Sequence, residues 1–238
     1  MTDENVSGEF RPDADRLAAL AEFAAGAGHE INNPLATIIG RAQQLLRDEP
    51  EAARRQSLAA IVAQAYRIRD MIGDVMAFAR PPAPLTSAVD LSALVREAAK
   101  KLAPELENLH CRATLSTAEE PTIEADPVQI AIMVSELIRN AADALQPDGG
   151  EIRIAVTTSP VGAALHVSDS GRGFSELERT HAFDPFYSGR QAGRGLGFGL
   201  CKVWQIARLH RGQIAIESTP GGPTTVSVTL PQTRSIPT

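Results

Sequence analysis

Residues 28–35 of this sequence read GHEINNPL and place a histidine and an amide at a spacing that could do chemistry. If the segment is helical, Asn33 lies one turn after His29 on the same face. The surrounding apolar pattern turns His29 about 140° away from the apolar stripe, toward solvent. An exposed histidine on a long helix is most often merely solvated. A zinc-binding helix would need a second histidine at position 33 and is excluded, because that residue is asparagine.

A second cluster has the sequence ELIRNAADA and begins at Glu136. On a helix Glu136, Asn140 and Asp143 would share one face, a pattern that is more often solvated surface than a binding site. The sequence DSGRG, beginning at Asp169, follows a predicted strand, and its glycines let the backbone approach a ligand closely. The Asp169 carboxylate could accept a hydrogen bond from the amino group of a purine. Taken alone, Asp-x-Gly-x-Gly more often marks only a turn.

Glycines occupy every second position of GRGLGFGL at residues 193–200, directly before a predicted helix. Their backbone N–H groups and the helix N-terminus suit phosphate groups. A dinucleotide fingerprint would need glycine at Phe198, and a P-loop would need Gly-Lys-Ser/Thr, which the chain lacks. The sequence FDPFYSGR at residues 183–190 puts aromatics, expected to be exposed, in a long irregular segment. It predicts either a lid over a ligand or a loosely packed surface loop.

Two long helical patterns precede these segments. The first runs from Asp13 to Arg47 with apolar residues at steps of three and four on one narrow stripe. After a break at residues 48–51, where Pro50 suits a first helical turn, the second pattern has the heptad spacing of a coiled coil or bundle. The two stripes consist of Leu17, Leu20, Ala24, Gly28, Ile31, Leu35, Ile38, Ala42 and Leu45, then Leu58, Ile61, Ala65, Ile68, Ile72, Val75 and Ala79. Because a lone hairpin cannot bury a full stripe, we expect a homodimer that forms a four-helix bundle.

The sequence PPAP at residues 81–84 predicts a stiff linker. Beyond it the pattern predicts helices at residues 91–109, 127–145 and 199–210, the last ended by Gly212, and strands at 113–117, 151–158, 163–169, 213–218 and 224–230. The predicted fold class is an all-α helical hairpin followed by an α+β sandwich, with helices on one face of one mixed sheet. The predicted boundaries are a disordered lead-in at 1–12, the hairpin at 13–80, a linker at 81–87, the sandwich at 88–231 and a tail at 232–238.

Composition narrows the class of protein. The net charge of -6 argues against a nucleic-acid surface, which is usually basic. No apolar run approaches the roughly 18 residues needed to span a bilayer, and no signal peptide opens the chain. The two cysteines, Cys111 and Cys201, have neither a pairing pattern nor metal-ligand spacing, which favours a reducing compartment. We therefore expect a cytoplasmic chain with no nucleic-acid and no membrane contact, or the cytoplasmic part of a longer sensor.

In order and spacing these segments resemble the conserved boxes of the two-component histidine kinases, over about residues 14–231. The H box lies at His29, the N box ends at Asn140, the G1 box spans residues 169–173, the F box 183–186 and the G2 box 195–200. The pattern His-Glu-x-x-Asn-Pro-Leu looks most like the nitrogen-regulation class. The resemblance implies a phospho-acceptor hairpin, an ATP-binding domain of the GHKL type, and a response regulator as partner.

That resemblance also implies roles for individual residues. His29 would accept the γ-phosphate of ATP, Glu30 would hold the other ring nitrogen and take up its proton, and Asn33 would position a water. Asn140 would bind Mg²⁺ together with Glu136, and Asp169 would bind the adenine amine. The full expected nucleotide set is Asn140, Asp143, Asp169, Gly171, Gly173, Phe186, Arg190, Gly195, Gly197, Gly199 and Leu200, in which Arg190 replaces the phosphate-contacting lysine usual in the family.

Glu136 departs from the family pattern, which usually has asparagine there. Glu-x-x-x-Asn looks instead like gyrase and the mismatch-repair ATPases, where that glutamate activates water, so slow ATP hydrolysis stays open. An ATP-driven clamp of the gyrase type would need a transducer domain, but only residues 231–238 follow the ATP site. Intact motifs argue against a scaffold that only binds. The sequence thus predicts a histidine kinase that phosphorylates His29, transfers the phosphoryl group to an aspartate of a response regulator, and also dephosphorylates that regulator.

Overall fold

The computed structural model describes residues 14–117, 120–159, 162–187 and 197–231. The predicted lead-in and tail lie outside this description, as do the side chains of several residues early in the first helix, His29 among them. The chain divides into two compact units, the first ending at Pro82 and the second beginning at Ala83.

The first unit is a hairpin of two helices, α1 (Ala14–Asp48) and α2 (Ala52–Ala79). Leu35 and Ile39 of α1 are buried against Ala65 of α2, with Ile31 and Tyr66 packed beside them. The Tyr66 hydroxyl accepts a hydrogen bond from Gln43 Nε2 at 3.1 Å. Gly28 lies against Met76, so the contact positions descend on α1 as they ascend on α2, as in an antiparallel pair.

The expected single stripe on α1 is divided between two directions. Leu35 and Ala42 are buried inside the hairpin, whereas Ile38 and Leu45 are 47% and 62% exposed. On α2, Ala65 and Val75 are buried, whereas Ile61 and Ile68 are 49% and 42% exposed. Steps of three and four cover two adjoining rows of side chains, and only one row faces the neighbouring helix of the same hairpin, so a lone hairpin leaves part of each stripe exposed.

The turn between the helices also differs from the expectation. Pro50 is not in the first helical turn, since Glu51 is the N-cap and α2 begins at Ala52. The guanidinium of Arg55 donates hydrogen bonds to the carbonyl oxygens of Glu49 and Pro50, at 3.1 and 2.8 Å. In a helix beginning at Pro50, backbone N–H groups would donate to these two carbonyl oxygens. Here the Arg55 guanidinium donates to them instead.

The second unit is an α+β sandwich. Its helices are α3 (Leu91–Asn108), α4 (Pro127–Ala144), α5 (Glu176–Thr180) and α6 (Gly199–Leu209). Its strands are β1 (Ser87–Asp90), β2 (Cys111–Thr117), β3 (Thr122–Ala125), β4 (Gly150–Ser159), β5 (Gly162–Asp169), β6 (Gln213–Ser218) and β7 (Thr224–Pro231). Five strands form one mixed sheet in the order β2-β4-β5-β7-β6, with β2 and β4 parallel and every other pair antiparallel.

The expectation of one sheet was incomplete, because β1 and β3 form a second, two-stranded antiparallel sheet. Each strand has only four residues, too few for alternation to stand out in the sequence. On the five-stranded sheet the inward side chains of β4, β5 and β7 are buried together with apolar residues of α3, α4 and α6. The other face is polar: His166 contacts Thr157 and Ser227, and Ser168 contacts Thr225. The helices thus cover one face only.

Asp126 joins several parts of this unit. Its carboxylate caps α4 by accepting from the N–H groups of Val128 and Gln129, and it also accepts from the N–H of Leu85 at 2.9 Å. Burial raises the pKa of Asp126, but these three N–H groups outweigh burial and hold it below its usual value. The N–H of Asp126 donates to Nε2 of the buried His210, whose Nδ1 contacts the Ile206 carbonyl oxygen at 2.9 Å. The start of α4 and the end of α6 are therefore fixed to each other.

Gly212 does not end α6 in the expected way. The helix ends at Leu209 with His210 as C-cap, and the left-handed residue is Arg211, with φ of 57°. A Cβ on Gly212 would lie 2.5 Å from the carbonyl oxygen of Thr229 on β7. Glycine is required at 212 by this close approach of two backbones and not by its own dihedral angle.

Candidate nucleotide and phosphotransfer sites

Helix α4 carries the predicted polar face. Glu136 and Asn140 are half-buried and Asp143 is exposed, while Leu137 and Ala141 beneath them are 1% and 2% exposed. The sequence places these residues in this way because apolar side chains at steps of three and four fix which side of the helix faces the core. The three polar groups therefore lie along the edge of the unit's core, with their helix firmly anchored.

Glu136 is paired with a residue that the sequence reasoning did not identify. Lys202 Nζ lies 3.1 Å from Glu136 Oε1, and the two side chains are 18% and 19% exposed. A Cβ on Gly199 would lie 3.3 Å from Glu136 Oε2. The carboxylate is thus held between the first turn of α6 and its own helix. Lys202 follows Gly199 by three positions, so it shares a helical face with the last glycine of the glycine-rich segment, and this spacing was the available signal.

Asp169 ends β5 as a buried carboxylate, 5% exposed. Its Oδ1 accepts a hydrogen bond from the N–H of Gly171 at 2.9 Å. A Cβ at position 171 would lie 2.5 Å from the carbonyl oxygen of Ala144, the last residue of α4. Gly173 has φ of 66° and lies against the carbonyl of Thr219. Glycine at 171 therefore lets the turn after Asp169 lie directly on the C-terminal end of α4, and glycine at 173 lets it lie against the turn between β6 and β7.

A short helix continues this turn. Ser175 and Glu178 form a capping box at the start of α5, and Arg172 donates to Glu178 Oε1 at 2.6 Å. The hydrogen bond from Arg172, joined by those from Ser175, lowers the pKa of Glu178 to about 2 although burial opposes the shift. The Arg172 side chain is half exposed, so the interaction orders the loop after Asp169 at the surface of the unit.

The segment expected to be a lid is only partly exposed. Phe183 packs against the core, contrary to the expectation of exposed aromatics, because the loop turns its side chain inward. Phe186 is 54% exposed, has φ of 66° and makes an edge-to-face contact with the buried Phe198, with ring centroids 4.8 Å apart. The imidazole of His181 contacts the Asp184 carboxylate at 2.7 Å. Phe186 is therefore the aromatic of this segment, within the described residues, that offers an open face.

The described end of the glycine-rich segment begins at Gly197, with φ of 70° and its Cα against the carbonyl of Tyr187. Gly199 opens α6 and Leu200 is 8% exposed. Two predicted nucleotide residues, Arg190 and Gly195, lie outside the described residues. The structure thus brings Glu136, Gly199 and Lys202 together beside the middle of α4. It places Asp169 and Gly171 at the C-terminal end of the same helix.

The predicted phospho-acceptor segment belongs to the first unit. The backbone of His29 is helical within α1, and its side chain lies outside the description. Glu30 and Asn33 are both exposed. Asn32 is half-buried, and its Oδ1 is buried without a hydrogen-bond partner among the described residues. An acid and an amide are therefore accessible on the helix that carries His29.

The described residues offer polar groups for the magnesium ion and the nucleotide that the motifs imply. Among the described residues no cluster of three or more His, Cys, Asp or Glu side chains could hold a metal ion unaided. Asn140 and Glu136 offer an amide and a carboxylate on one face of α4, and such oxygen ligands suit Mg²⁺ when phosphate oxygens complete its coordination. The buried Asp169 carboxylate and the Gly171 position, too tight for a Cβ, suit a flat polar base. These residues fit a magnesium nucleotide better than an isolated metal.

Within the described part of the chain, no helix has both the length and the apolar character that crossing a bilayer demands.

Two family models match the chain. Residues 19–84 match the His Kinase A (phospho-acceptor) domain, and residues 125–234 match the Histidine kinase-, DNA gyrase B-, and HSP90-like ATPase. The first match contains His29, and the second contains the polar face of α4, the turn after β5 and the glycine-rich segment.

Similar proteins carry both domains. The chain is 32% identical to the C4-dicarboxylate transport sensor protein DctS of Rhodobacter capsulatus, covering 91% of this chain and 34% of that protein. It is 28% identical to the sensor histidine kinase ZraS of Escherichia coli, covering 91% and 46%. It is 30% identical to the sensory histidine kinase/phosphatase NtrB of Klebsiella oxytoca, covering 95% and 66%. The chain thus spans a third to two thirds of these relatives.

Solved structures share the fold. Full-length ShkA in complex with AMPPNP matches with a TM-score of 0.78 at 21% identity, covering 89% of this chain and 46% of that chain. The Acinetobacter baumannii histidine kinase AdeS matches with a TM-score of 0.62 at 19% identity, covering 87% and 98%. At these identities the likeness concerns the fold alone.

Proposed function

This chain belongs to the two-component sensor histidine kinases, and we propose that it uses ATP to phosphorylate His29 and then passes the phosphoryl group to an aspartate of a response regulator. The observation that carries the proposal is the presence, in one chain, of a phospho-acceptor domain containing His29 and an ATPase domain containing the α4 face. Neither domain alone would give a transferable phosphoryl group.

In the proposed reaction Nε2 of His29 attacks the γ-phosphorus of ATP. The bond to the β–γ bridging oxygen breaks, and ADP leaves with that electron pair. Glu30 takes up the proton from the other ring nitrogen, which keeps Nε2 nucleophilic. Support for this role is the position of Glu30, an exposed acid directly after His29 on the same helix.

ATP binding is assigned to the second unit. Asp169 would accept a hydrogen bond from the adenine amine, supported by its burial and by the tight turn at Gly171. Asn140 and Glu136 would hold Mg²⁺, which when bound neutralises phosphate charge. Phe186 and the glycine-rich segment would cover the nucleotide, since an exposed aromatic and backbone N–H groups suit those contacts.

A second activity is proposed for the same helix α1. The amide of Asn33 is exposed one turn after His29 and could orient a water against the aspartyl phosphate of the regulator. One relative, NtrB of Klebsiella oxytoca, is named a histidine kinase/phosphatase. We infer that this chain also removes phosphate from its regulator.

The working assembly is proposed to be a homodimer in the cytoplasm that docks a receiver domain. The phospho-acceptor family match covers both helices of the hairpin. Ile38, Leu45, Ile61 and Ile68 form two heptad-spaced exposed rows, which a second hairpin would cover.

The first test uses γ-labelled ATP. The native chain should acquire label that is lost in acid and kept in base, as expected of phosphohistidine. His29→Ala should acquire none while still binding ATP, because no other nucleophile replaces the imidazole. His166→Ala is the control, since His166 belongs to the second unit and lies on the polar face of the sheet, which the helices do not cover. Label retained in His29→Ala would contradict the proposal.

The second test separates the two activities of α1. Asn33→Ala should still form phosphohistidine and still transfer phosphate, because an amide has no nitrogen basic enough to accept it. It should dephosphorylate the regulator about 10²-fold more slowly, the scale of one lost positioning hydrogen bond. The measurement is decay of phosphorylated regulator with ADP and Mg²⁺. Unchanged decay together with collapsed phosphohistidine formation would assign Asn33 to the kinase step instead.

A further inference from the structure

The ion pair between Lys202 and Glu136 lies where ATP chemistry is expected. Its two side chains are largely withdrawn from solvent and 3.1 Å apart. Lys202 is on the first turn of α6 and Glu136 is in the middle of α4, separated by 66 positions in the sequence. The contact therefore depends on the folded unit and not on local chain geometry.

Glu136 has a chemistry that a histidine kinase does not need. A carboxylate near the γ-phosphate can accept a proton from water as water attacks phosphorus. The β–γ bridging bond would break, ADP would leave with the electron pair, and inorganic phosphate and a proton would be released. That reaction consumes ATP without phosphorylating His29, so an unrestrained Glu136 would compete with the proposed function.

The ammonium group of Lys202 holds the Glu136 carboxylate in place through a hydrogen bond to Oε1 at 3.1 Å. It also occupies Oε1, which would otherwise be available to a water. The second oxygen, Oε2, faces Gly199, where a Cβ would lie only 3.3 Å away. Both oxygens thus have close neighbours on α6.

We propose that Lys202 is a positioning residue that restrains Glu136 from activating water and so directs ATP toward His29. The inference rests on the proposed function, since it assumes that ATP binds against the α4 face. In this role Lys202 favours the imidazole of His29 over water as the acceptor of the phosphoryl group.

The test measures release of inorganic phosphate from ATP by the full chain in a His29→Ala background, where turnover of phosphohistidine cannot contribute. Adding Lys202→Gln should raise the rate about three- to tenfold, because the ion pair that holds the Glu136 carboxylate is lost and the carboxylate can accept a proton from water. Lys202→Arg should keep the rate low, since the charge is retained. Adding Glu136→Gln to Lys202→Gln should abolish the increase.

Lys101→Gln is the matched control, because Lys101 forms an ion pair of similar length, 2.8 Å, with Glu97 on the exposed surface of α3. It should leave phosphate release unchanged. ATP binding is measured by calorimetry for every variant. Rates of phosphate release are compared among the variants that bind ATP as tightly as the His29→Ala chain does. If Lys202→Gln lowers phosphate release or leaves it unchanged while ATP still binds, or if the increase survives Glu136→Gln, the inference is overturned. If Lys202→Gln binds no ATP, the lysine serves binding, which also overturns it.

Failure of the Lys202 inference and failure of the proposed kinase function are detected by different measurements. The kinase proposal fails if the chain with native His29 forms no phosphohistidine. The Lys202 inference fails on phosphate release in the His29→Ala background.

Discussion

Asp169 is a carboxylate almost fully withdrawn from solvent, with one oxygen engaged by the N–H of Gly171. If it reads the adenine amine, Asp169→Asn should weaken ATP binding by about 1–3 kcal/mol, because the amide presents a donor where an acceptor is needed. GTP should bind poorly to the native chain, since guanine has a carbonyl at that position. Calorimetry with both nucleotides measures this.

The control for this substitution is Asp148→Asn, an identical change at an exposed position of the loop after α4. It should bind ATP as the native chain does. Equal affinity for ATP and GTP would contradict the assignment of Asp169.

Glu178 gives a prediction about pH. Its folded-state pKa is depressed to about 2 by Arg172 and Ser175, so its contribution to stability is fully present above the unfolded value near 4.3 and is lost as pH falls toward 2. Glu178→Gln should lower the free energy of unfolding by about 1–2 kcal/mol at pH 7, allowing for the half-exposed Arg172. The difference from the native chain should shrink below pH 4.

Urea unfolding followed by tryptophan fluorescence measures this difference. The chain contains one tryptophan, Trp204 on α6, so the signal reports on the second unit alone. Glu176→Gln, an exposed acid on the same short helix, is the control and should change little. A difference for Glu178→Gln that is constant between pH 7 and pH 3 would contradict the role given to Arg172.

At this scale the sequence could predict which polar residues share a helix face, because helical spacing is local. It could not predict that Lys202 meets Glu136, since that contact is set by the packing of α6 on α4. The left-handed conformation of Arg211 could not be predicted for a related reason. Glycine is the usual residue at a left-handed helix end, so Gly212 was expected there. In the structure Gly212 is glycine because the backbone of β7 passes close to it.

At the scale of the secondary-structure elements, the C-terminal end of α6 gives two predictions of opposite sign for the stability of the second unit. Arg211→Gly should stabilise the second unit by about 0.5–1 kcal/mol, because glycine adopts φ of 57° without the Cβ clash, less its greater entropy when unfolded. Gly212→Ala should destabilise it, since a Cβ there meets the Thr229 carbonyl oxygen. Urea unfolding monitored at Trp204 compares the two. The reverse order would mean that the glycine serves the dihedral angle and not the close approach.

The three predicted helices of the second unit are confirmed within one residue at each end, although Phe198, the N-cap of α6, makes no side-chain capping hydrogen bond. Asp90 caps α3 and Asp126 caps α4 through side-chain hydrogen bonds, and each residue directly precedes an apolar helical run in the sequence. The strands β1 and β3 and the helix α5 were missed. They have four, four and five residues, shorter than the period over which a pattern can be recognised.

At the scale of the whole molecule, the exposed apolar rows of the hairpin predict the dimer interface. Ile61→Asp combined with Ile68→Asp should give a monomer, because a charged pair in each copy would be buried at the seam. Light scattering of the full chain measures the mass. Leu177→Asp is the control, since Leu177 is 65% exposed on α5 of the other unit, and it should remain a dimer. A dimer that survives the double substitution would place the interface elsewhere.

The position of β7 in its sheet affects how the protein is made. This strand, near the described end of the chain, lies between β5 and β6, so the five-stranded sheet cannot be completed until residue 231 has been synthesised. The hairpin of α1 and α2 is complete about 150 residues earlier and needs only local contacts, which form fast. At about 5–20 residues per second, its exposed rows would be free for roughly 8–30 seconds while the sandwich is still being synthesised. Nascent chains on one messenger could then pair through their hairpins before either has a folded ATPase domain.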